Sequence, residues 1–167
     1  MRINQWVEFG VHCSCRIAEK TAKGAPISSS ELANAIGIDK LYLHQILSKL
    51  RKAGIIKALR GPSGGFLLAK PANQISLNDI FVAEEGDSLA VICEHKPINK
   101  HRCKTDFSCY LKPIWFNLKN TVEDYLKSIS LQDLIERKFS EGNQLVNVFK
   151  AEKLTSIKKR RNASSAR

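Results

Sequence analysis

Three of the five cysteines in this chain of 167 residues lie in one short segment. Nine residues separate Cys93 from Cys103, and five residues separate Cys103 from Cys109. Pro97, Asn99 and a dense mixture of charges disfavour both helix and strand, so the segment is predicted to form a loop. A loop can bring three thiolates around one centre, which is what a soft metal ion or an iron–sulfur cluster requires.

Two other chemistries are open to this cysteine loop. Structural zinc sites commonly use two cysteines separated by two residues, and the absence of such a pair here disfavours zinc. A disulfide between two of the three cysteines would make a thiol switch instead. The lysines and the arginine within the same segment favour the thiolate form, which all of these chemistries need.

The charge of the chain favours a polyanionic partner. There are 27 lysines and arginines against 16 acidic residues, a net charge of +11. The tail from Lys150 onward holds seven basic residues and one acid, which leaves a smaller surplus on residues 1–149. A basic body with a more basic tail is typical of proteins that bind polyanions such as DNA.

No membrane-spanning or secretory segment is predicted. No apolar run approaches the ~18 residues of a membrane span. Glu8 and His12 interrupt the N-terminal apolar stretch, which disfavours a secretory signal. We therefore expect a cytoplasmic protein, whose cysteines stay reduced and serve metal or redox chemistry more than structural disulfides.

The first half of the chain predicts a helix-turn-helix. A helix over residues 2–21 is followed by a short helix that Ser28 caps and Gly37 ends. Asp39 is predicted to cap a second helix, from Lys40 to about Ala53. Two helices joined by a glycine-containing turn of about three residues form a helix-turn-helix, whose second helix enters the major groove of DNA.

A β-hairpin, or wing, is predicted to follow this motif. Residues 55–60 and 66–68 have the composition of strands and flank a glycine-rich turn. Glycines let backbone N–H groups approach a phosphate, and an arginine at the base of the turn can reach phosphate or the minor groove. The predicted DNA contacts of the wing are Arg60, Ser63, Gly64 and Gly65. Those of the helix-turn-helix are Ser28, Lys40, Tyr42, His44, Gln45 and Lys49.

A long amphipathic helix is predicted after the cysteine loop. Before the loop, Ser76 caps a helix over residues 77–84. After it, a helix begins at Cys109 or Tyr110, and its apolar stripe continues for about five turns. This stripe consists of Leu111, Ile114, Trp115, Leu118, Val122, Tyr125, Leu126 and Ile129. One small domain has limited room to bury it, so a homodimer is expected, the alternative being a helix packed on its own core.

These elements define a mainly α fold class, a winged helix-turn-helix with a small β-hairpin wing and a long dimerisation helix. The predicted divisions are a DNA-binding domain (1–84), a cysteine-bearing cluster loop (85–109) and a dimerisation helix with a terminal helix (110–138). A basic tail (139–167), predicted to be disordered, would add nonspecific affinity for DNA.

The chain up to about residue 138 resembles the winged-helix repressors that include IscR, NsrR and RirA, with NsrR-like members the most similar. The resemblance is most specific in residues 41–54, in the Arg-Gly-x-x-Gly-Gly pattern of 60–65, and in a cysteine trio before the long helix. It implies a homodimeric repressor on a double-stranded DNA operator. It also implies control by a 2Fe–2S or 4Fe–4S cluster that senses nitric oxide, oxygen or iron status.

The resemblance also implies the cluster ligands, Cys93, Cys103 and Cys109. The five-residue spacing matches the family, and the nine-residue spacing is longer than usual. IscR-like members have a histidine three residues after the last cysteine, where this chain has Lys112. In NsrR-like members an acidic residue on the first helix of the other subunit completes the site. Glu8 stands at that position, and His12 is the alternative.

Other functions are less well supported by the residues. The chain shows no Ser/His/Asp arrangement, phosphate-binding loop or paired carboxylates, so an enzyme is not expected. The alternative to a cluster-sensing repressor is a regulator of the same fold without a cluster. Such a protein would respond to oxidation of its thiols or to a small-molecule effector.

Overall fold

The computed structural model describes residues 3–61, 63–86 and 111–138. The predicted cysteine loop and the basic tail lie outside the described residues. The helices are α1 (Gln5–Ala22), α2 (Ser29–Ile36), α3 (Lys40–Lys52), α4 (Leu77–Glu85), α5 (Leu111–Lys127) and α6 (Leu131–Ile135), and the strands are β1 (Ile56–Leu59) and β2 (Gly65–Leu68). All of them belong to one compact unit, Met1–Glu136, which is distinct from Arg137–Arg167.

Helix α1 lies at the centre of the core and packs against α2, α3, α4, α6 and β2. The predicted start at residue 2 is wrong, because Asn4 caps the helix by accepting a hydrogen bond from the Trp6 backbone N–H (3.3 Å). Cys13 and Ile17 are completely buried on its inner face. Burying one large aliphatic side chain contributes about 1.5–3 kcal/mol, so this face anchors the fold.

The helix-turn-helix forms as the sequence predicts. The Ser28 hydroxyl accepts from the Glu31 backbone N–H (3.2 Å) at the start of α2, and Gly37 ends that helix with a φ of 76°. A positive φ suits glycine, which has no Cβ to collide with the backbone. Asp39 then caps α3 by accepting from the N–H of Leu41 (2.7 Å). The buried side chains of α3 are Leu43, Ile46, Leu47 and Leu50.

The wing is a two-stranded antiparallel sheet in which Ile56 pairs with Leu68 and Leu59 pairs with Gly65. An isolated bridge between Ile27 and Phe66 joins β2 to the chain before α2. A Cβ on Gly65 would collide with the carbonyl oxygen of Ile27, so this close approach requires glycine. The wing is therefore held against the helix-turn-helix by backbone contacts.

Helices α4 and α6 each begin with a capping box, and the two starts lie side by side. Ser76 and Asp79 form one at α4, and Ser130 and Asp133 form the other at α6. An isolated bridge pairs Ser76 with Ser130, and Leu131, completely buried, enters the central core. Hence the terminal helix packs on the same core as the helix-turn-helix.

Candidate nucleic-acid interface

One face of α3 is available to an external partner. Lys40, His44 and Gln45 are exposed, opposite the leucines and isoleucine that hold the helix to the core. Residues near the start of a recognition helix contact base edges, and a glutamine amide can pair with adenine. This face therefore exposes two polar side chains and one lysine, which are residue types that bind DNA.

Leu41 is a residue of this face that the sequence analysis did not single out. Its side chain is 71% exposed, the most of any large apolar residue among those described. An exposed apolar group on such a helix can contact the methyl group of thymine. Its exposure could have been predicted from its position on α3, because it lies outside the buried stripe of Leu43, Ile46, Leu47 and Leu50.

Two of the predicted base contacts, Tyr42 and Lys49, are engaged within the protein. The Tyr42 ring lies 4.2 Å from the Trp6 ring and 5.7 Å from the Phe9 ring, measured between centroids. Aromatic packing of this kind stabilises the α1–α3 contact and leaves Tyr42 half-buried. The Lys49 ammonium lies 4.7 Å from the Trp6 centroid, a cation–π distance.

Lys49 also binds Glu84, at the C-terminal end of α4. Its Nζ donates a hydrogen bond to the Glu84 carbonyl oxygen (2.7 Å) and lies 3.5 Å from Oε2 of the Glu84 carboxylate. A cation at a helix C-terminus also interacts favourably with the helix dipole. The Glu84–Lys49 pair thus connects the predicted recognition helix to the helix that precedes the cysteine segment.

The Glu84 carboxylate is buried, although a charged group is costly to remove from water. Its side chain has no exposed area, and neither oxygen has a hydrogen-bond partner among the described residues. Burial raises the pKa of Glu84 to about 7, and the attraction of Lys49 only partly opposes this rise. Gly10 of α1 makes the space, because a Cβ there would lie 2.9 Å from Cγ of Glu84.

The burial of Glu84 was missed from the sequence, yet a signal was present. Glu84 follows the buried Ile80 by four residues, so both lie on the same face of α4. Gly10 lies within the buried stripe of α1. Together these positions indicate that the glutamate points toward α1.

This buried carboxyl predicts a pH dependence of stability. Because its pKa is raised, the folded protein holds a proton that the unfolded chain releases, so the free energy of unfolding falls as pH rises from about 4.5 to about 7. The full difference is about 3 kcal/mol. Glu84→Gln should remove this component, as measured by urea unfolding of both proteins across that range. If the unfolding free energies of the wild type and Glu84→Gln varied with pH in parallel, this prediction would be contradicted. Glu85→Gln changes the exposed neighbouring residue and is the control, which should keep the pH dependence of the wild type.

The four contacts predicted for the wing consist of two exposed side chains and two constrained glycines. Arg60 and Ser63 are exposed. The sequence predicts that the Gly64 backbone N–H is available to a phosphate. In the structure this N–H donates to the Gly61 carbonyl oxygen (2.9 Å). A Cβ on Gly64 would collide with the carbonyl oxygen of Leu59, so the turn itself requires this glycine. Ser28 is likewise exposed, and its hydroxyl caps α2.

Comparison with known proteins decides the family. Residues 3–137 match the model of the Rrf2 family, described as an iron-dependent transcriptional regulator. The chain belongs to the Rrf2 family. A predicted HTH-type transcriptional regulator of Neisseria meningitidis is 35% identical over 147 residues, which cover 87% of this chain and 96% of that protein. The HTH-type transcriptional regulator IscR of Pectobacterium carotovorum is 29% identical over 138 residues, covering 83% and 81%.

Solved structures agree with the Rrf2 assignment. CymR, the global cysteine regulator of B. subtilis, has a TM-score of 0.64 and 26% identity, over 82% of this chain and 98% of CymR. T. potens IscR has a TM-score of 0.65 and 29% identity, over 85% of this chain and 94% of that one. The predicted fold class, a mainly α winged helix-turn-helix, is confirmed. This Rrf2 protein is a DNA-binding transcription regulator and not an enzyme.

The predicted cluster ligands are placed only in part. Cys93, Cys103 and Cys109 lie outside the described residues, between α4 and α5. Glu8 and His12 are both exposed and lie one turn apart on α1. No group of three or more metal-binding side chains occurs within residues 3–61, 63–86 and 111–138.

The other two cysteines are poor candidates for redox chemistry. Burial, and then the charge of Glu84, raises the pKa of the Cys13 thiol to about 12. Burial, and then the charge of Glu19, raises the pKa of Cys15 to about 11. A thiolate is the reactive form of cysteine, so both thiols are unreactive at neutral pH.

Helix α5 carries an exposed apolar face. Leu111 and Ile114 are each 56% exposed, and Trp115 and Leu118 are 43% and 45% exposed. Leu126, by contrast, is buried near the junction with α6. The helix packs against α4 within the chain, while this apolar face remains on the surface.

Within the part of the chain that the structure describes, no helix is long and apolar enough to cross a membrane.

Proposed function

We propose that this Rrf2 protein is a repressor whose operator affinity is controlled by an iron–sulfur cluster. The observation that carries the proposal is the cysteine trio, Cys93, Cys103 and Cys109, between α4 and α5 of a family described as iron-dependent. Three thiolates suit an iron–sulfur cluster, of 2Fe–2S or 4Fe–4S type. When bound, the cluster supplies a centre that nitric oxide, oxygen or iron shortage can alter.

A fourth ligand from a partner subunit completes the proposed site. Glu8 is the first candidate and His12 the second, since both side chains are exposed on α1 and lie on one face. A carboxylate or imidazole is a harder and more exchangeable ligand than a thiolate. This donor set fits a cluster that must react with a signal. In the proposed division of the chain, residues 85–109 form the cluster loop.

A homodimer is the second part of the proposal. Helix α5 exposes Leu111, Ile114, Trp115 and Leu118 along one face, and contiguous exposed apolar side chains mark interaction sites. A second copy of α5 would cover this face in a symmetric contact. Helix-turn-helix dimers then place two recognition helices about one helical turn of DNA apart.

DNA recognition follows from α3 and the wing. In the proposed complex, α3 lies in the major groove, where His44 and Gln45 contact base edges and Lys40 contacts phosphate. Arg60 and Ser63 of the wing contact phosphate or the minor groove. The basic tail of residues 139–167 adds nonspecific affinity.

The proposal includes a route between the cysteine segment and DNA, and two contacts of the described residues support it. The segment follows α4, and α4 is linked to α3 by the Glu84–Lys49 pair. The C-terminal end of the cysteine segment leads into α5. The chain just after α5 is joined to the start of α4 by the bridge between Ser130 and Ser76. A change in the segment would therefore shift both the dimer helix and the recognition helix, which is the two-state coupling that regulation needs.

The alternative is a regulator that senses oxidation of its thiols. One similar structure is the oxidized form of S. aureus CymR, 30% identical with a TM-score of 0.61 over 81% of this chain and 97% of that one. In this alternative, two of the three cysteines would form a disulfide and no iron would bind.

One experiment separates the two proposals. The full chain is purified without oxygen, and its visible absorbance, iron and acid-labile sulfide are measured. We expect a coloured protein that loses most of its iron when Cys103 is replaced by alanine, and whose operator affinity falls on treatment with nitric oxide. A colourless, iron-free protein whose DNA binding responds to peroxide would favour the thiol switch. Replacement of the buried Cys13 by alanine is the control and should leave the iron content unchanged.

A further inference from the structure

Lys49 lies between the exposed face of α3 that carries Gln45 and the buried carboxylate of Glu84. It follows Gln45 by four residues, so the two side chains share one face of the helix. Gln45 is exposed, and the Lys49 side chain is itself 40% exposed. A flexible lysine at this position can point either toward DNA or toward α4. In the structure it points toward Glu84.

The groups around the Glu84 carboxylate leave Lys49 as its positive partner among the described residues. Cys13 of α1 and Tyr42 of α3 face it, and burial, followed by the charge of Glu84, raises the pKa of both. Both are therefore neutral at pH 7 and add no positive charge. Glu85, next in α4, adds a negative charge.

We propose that the Glu84 carboxylate competes with the DNA backbone for Lys49. One ammonium group cannot neutralise a buried carboxylate and a phosphate at the same time. An ionised Glu84 holds Lys49 through both its carboxylate and its carbonyl oxygen. A protonated Glu84 keeps only the carbonyl contact, so Lys49 can leave it more easily to contact a phosphate beside the groove that α3 occupies. Glu84 is thus a positioning residue, which sets how many lysines α3 offers to DNA.

This competition links DNA binding to pH in the neutral range. Because the pKa of Glu84 is raised to about 7 by burial, the carboxyl is largely neutral below that pH and ionised above it. DNA affinity should therefore rise as pH falls through this range. By reciprocity, DNA binding at neutral pH should take up protons at Glu84.

The inference rests on the proposed placement of α3 on DNA and is independent of the cluster. The probes are a duplex enriched from a random-sequence library by binding to the protein and a scrambled duplex of the same composition. Affinity is measured as salt is varied at pH 8. Each phosphate contact contributes about −0.9 to the slope of log affinity against log salt concentration. One contact therefore corresponds to about a threefold loss of affinity between 50 and 200 mM salt.

Glu84→Gln should make this slope steeper by about one contact per bound protomer and raise affinity severalfold on both duplexes. Glu85→Gln makes the same change in net charge on an exposed neighbour and should leave the slope as in the wild type. Equal slopes for the two variants would overturn the inference. So would a steeper slope that persists in the double variant Glu84→Gln, Lys49→Met, since that chain has no Lys49 to release.

Proton uptake gives a readout on the unaltered protein. Binding heats measured in two buffers of different ionisation enthalpy at pH 7 should show protons taken up by the wild type, beyond those taken up by Glu84→Gln. The four histidines are common to both proteins and cancel in this difference. Equal proton uptake by the wild type and Glu84→Gln would overturn the inference.

The proposed interface on α3 is tested separately. If replacement of His44 and Gln45 left DNA binding unchanged, that interface would be wrong. If only the expected effects of Glu84→Gln were absent, the interface would stand and the inference about Glu84 would be wrong.

Discussion

Leu118→Glu in α5 is expected to give a folded monomer that binds operator DNA about 100-fold more weakly or worse. The side chain is 45% exposed within the chain, so a glutamate there should hardly affect folding. In a dimer, each copy of Leu118 would be buried, and its replacement would place two carboxylates in an apolar contact. Loss of simultaneous binding to two half-sites commonly costs a factor of about 10²–10⁴ in affinity.

The control for this variant introduces the same charge on the opposite face of α5. Asn120 is exposed and lies two residues from Leu118, about half a turn around the helix. Asn120→Glu should remain dimeric, and it corrects for the unfavourable effect of any added negative charge on DNA binding. Sedimentation gives the molecular mass, and circular dichroism gives the thermal unfolding of each protein. A Leu118→Glu protein that sediments like the wild type would refute α5 as the dimer contact.

Replacement of both His44 and Gln45 by alanine is expected to abolish sequence preference while nonspecific binding survives. A well-placed pair of hydrogen bonds to a base contributes about 1–3 kcal/mol of discrimination, so the double variant should lose at least about 30-fold on the enriched duplex. Both side chains are exposed and alanine favours helix, so α3 should form as before. Affinity for the scrambled duplex should change little.

Arg60→Ala provides the contrast that makes this result specific. A phosphate contact carries no sequence information, so its loss should weaken binding to both duplexes equally and reduce the salt slope by about one. The proposed contacts of His44 and Gln45 are to base edges and not to phosphates, so their removal should leave the slope unchanged. An equal loss on the two duplexes from the His44, Gln45 variant would show that α3 does not read bases.

The local structure of this protein was largely predictable because its signals are short-range. Ser28, Asp39, Ser76 and Ser130 each cap a helix, since a side-chain oxygen next to unpaired backbone N–H groups acts within a few residues. The winged helix-turn-helix class follows from these caps and from the apolar spacing between them. The apolar face of α5 could be identified in the same way, because a helix repeats every 3.6 residues.

The boundaries and partners of individual side chains were less predictable. Cys13 is completely buried, while Ile3, which falls within the helix predicted over residues 2–21, is 63% exposed. Ile3 precedes the Asn4 cap, so the helical spacing does not apply to it. Tyr42 packs on Trp6 and Phe9, because two aromatic rings from α1 lie where α3 crosses it.

The sequence alone thus determined the helices, the wing, the family resemblance and the cysteine trio, all of which depend on neighbouring or regularly spaced residues. Only the tertiary structure decided that Glu84 is buried against Gly10 and holds Lys49, because these three residues come from α4, α1 and α3. Interactions between residues so far apart in the chain depend on how the helices pack. A lysine assigned to DNA from its helix face alone binds a buried glutamate in the folded protein.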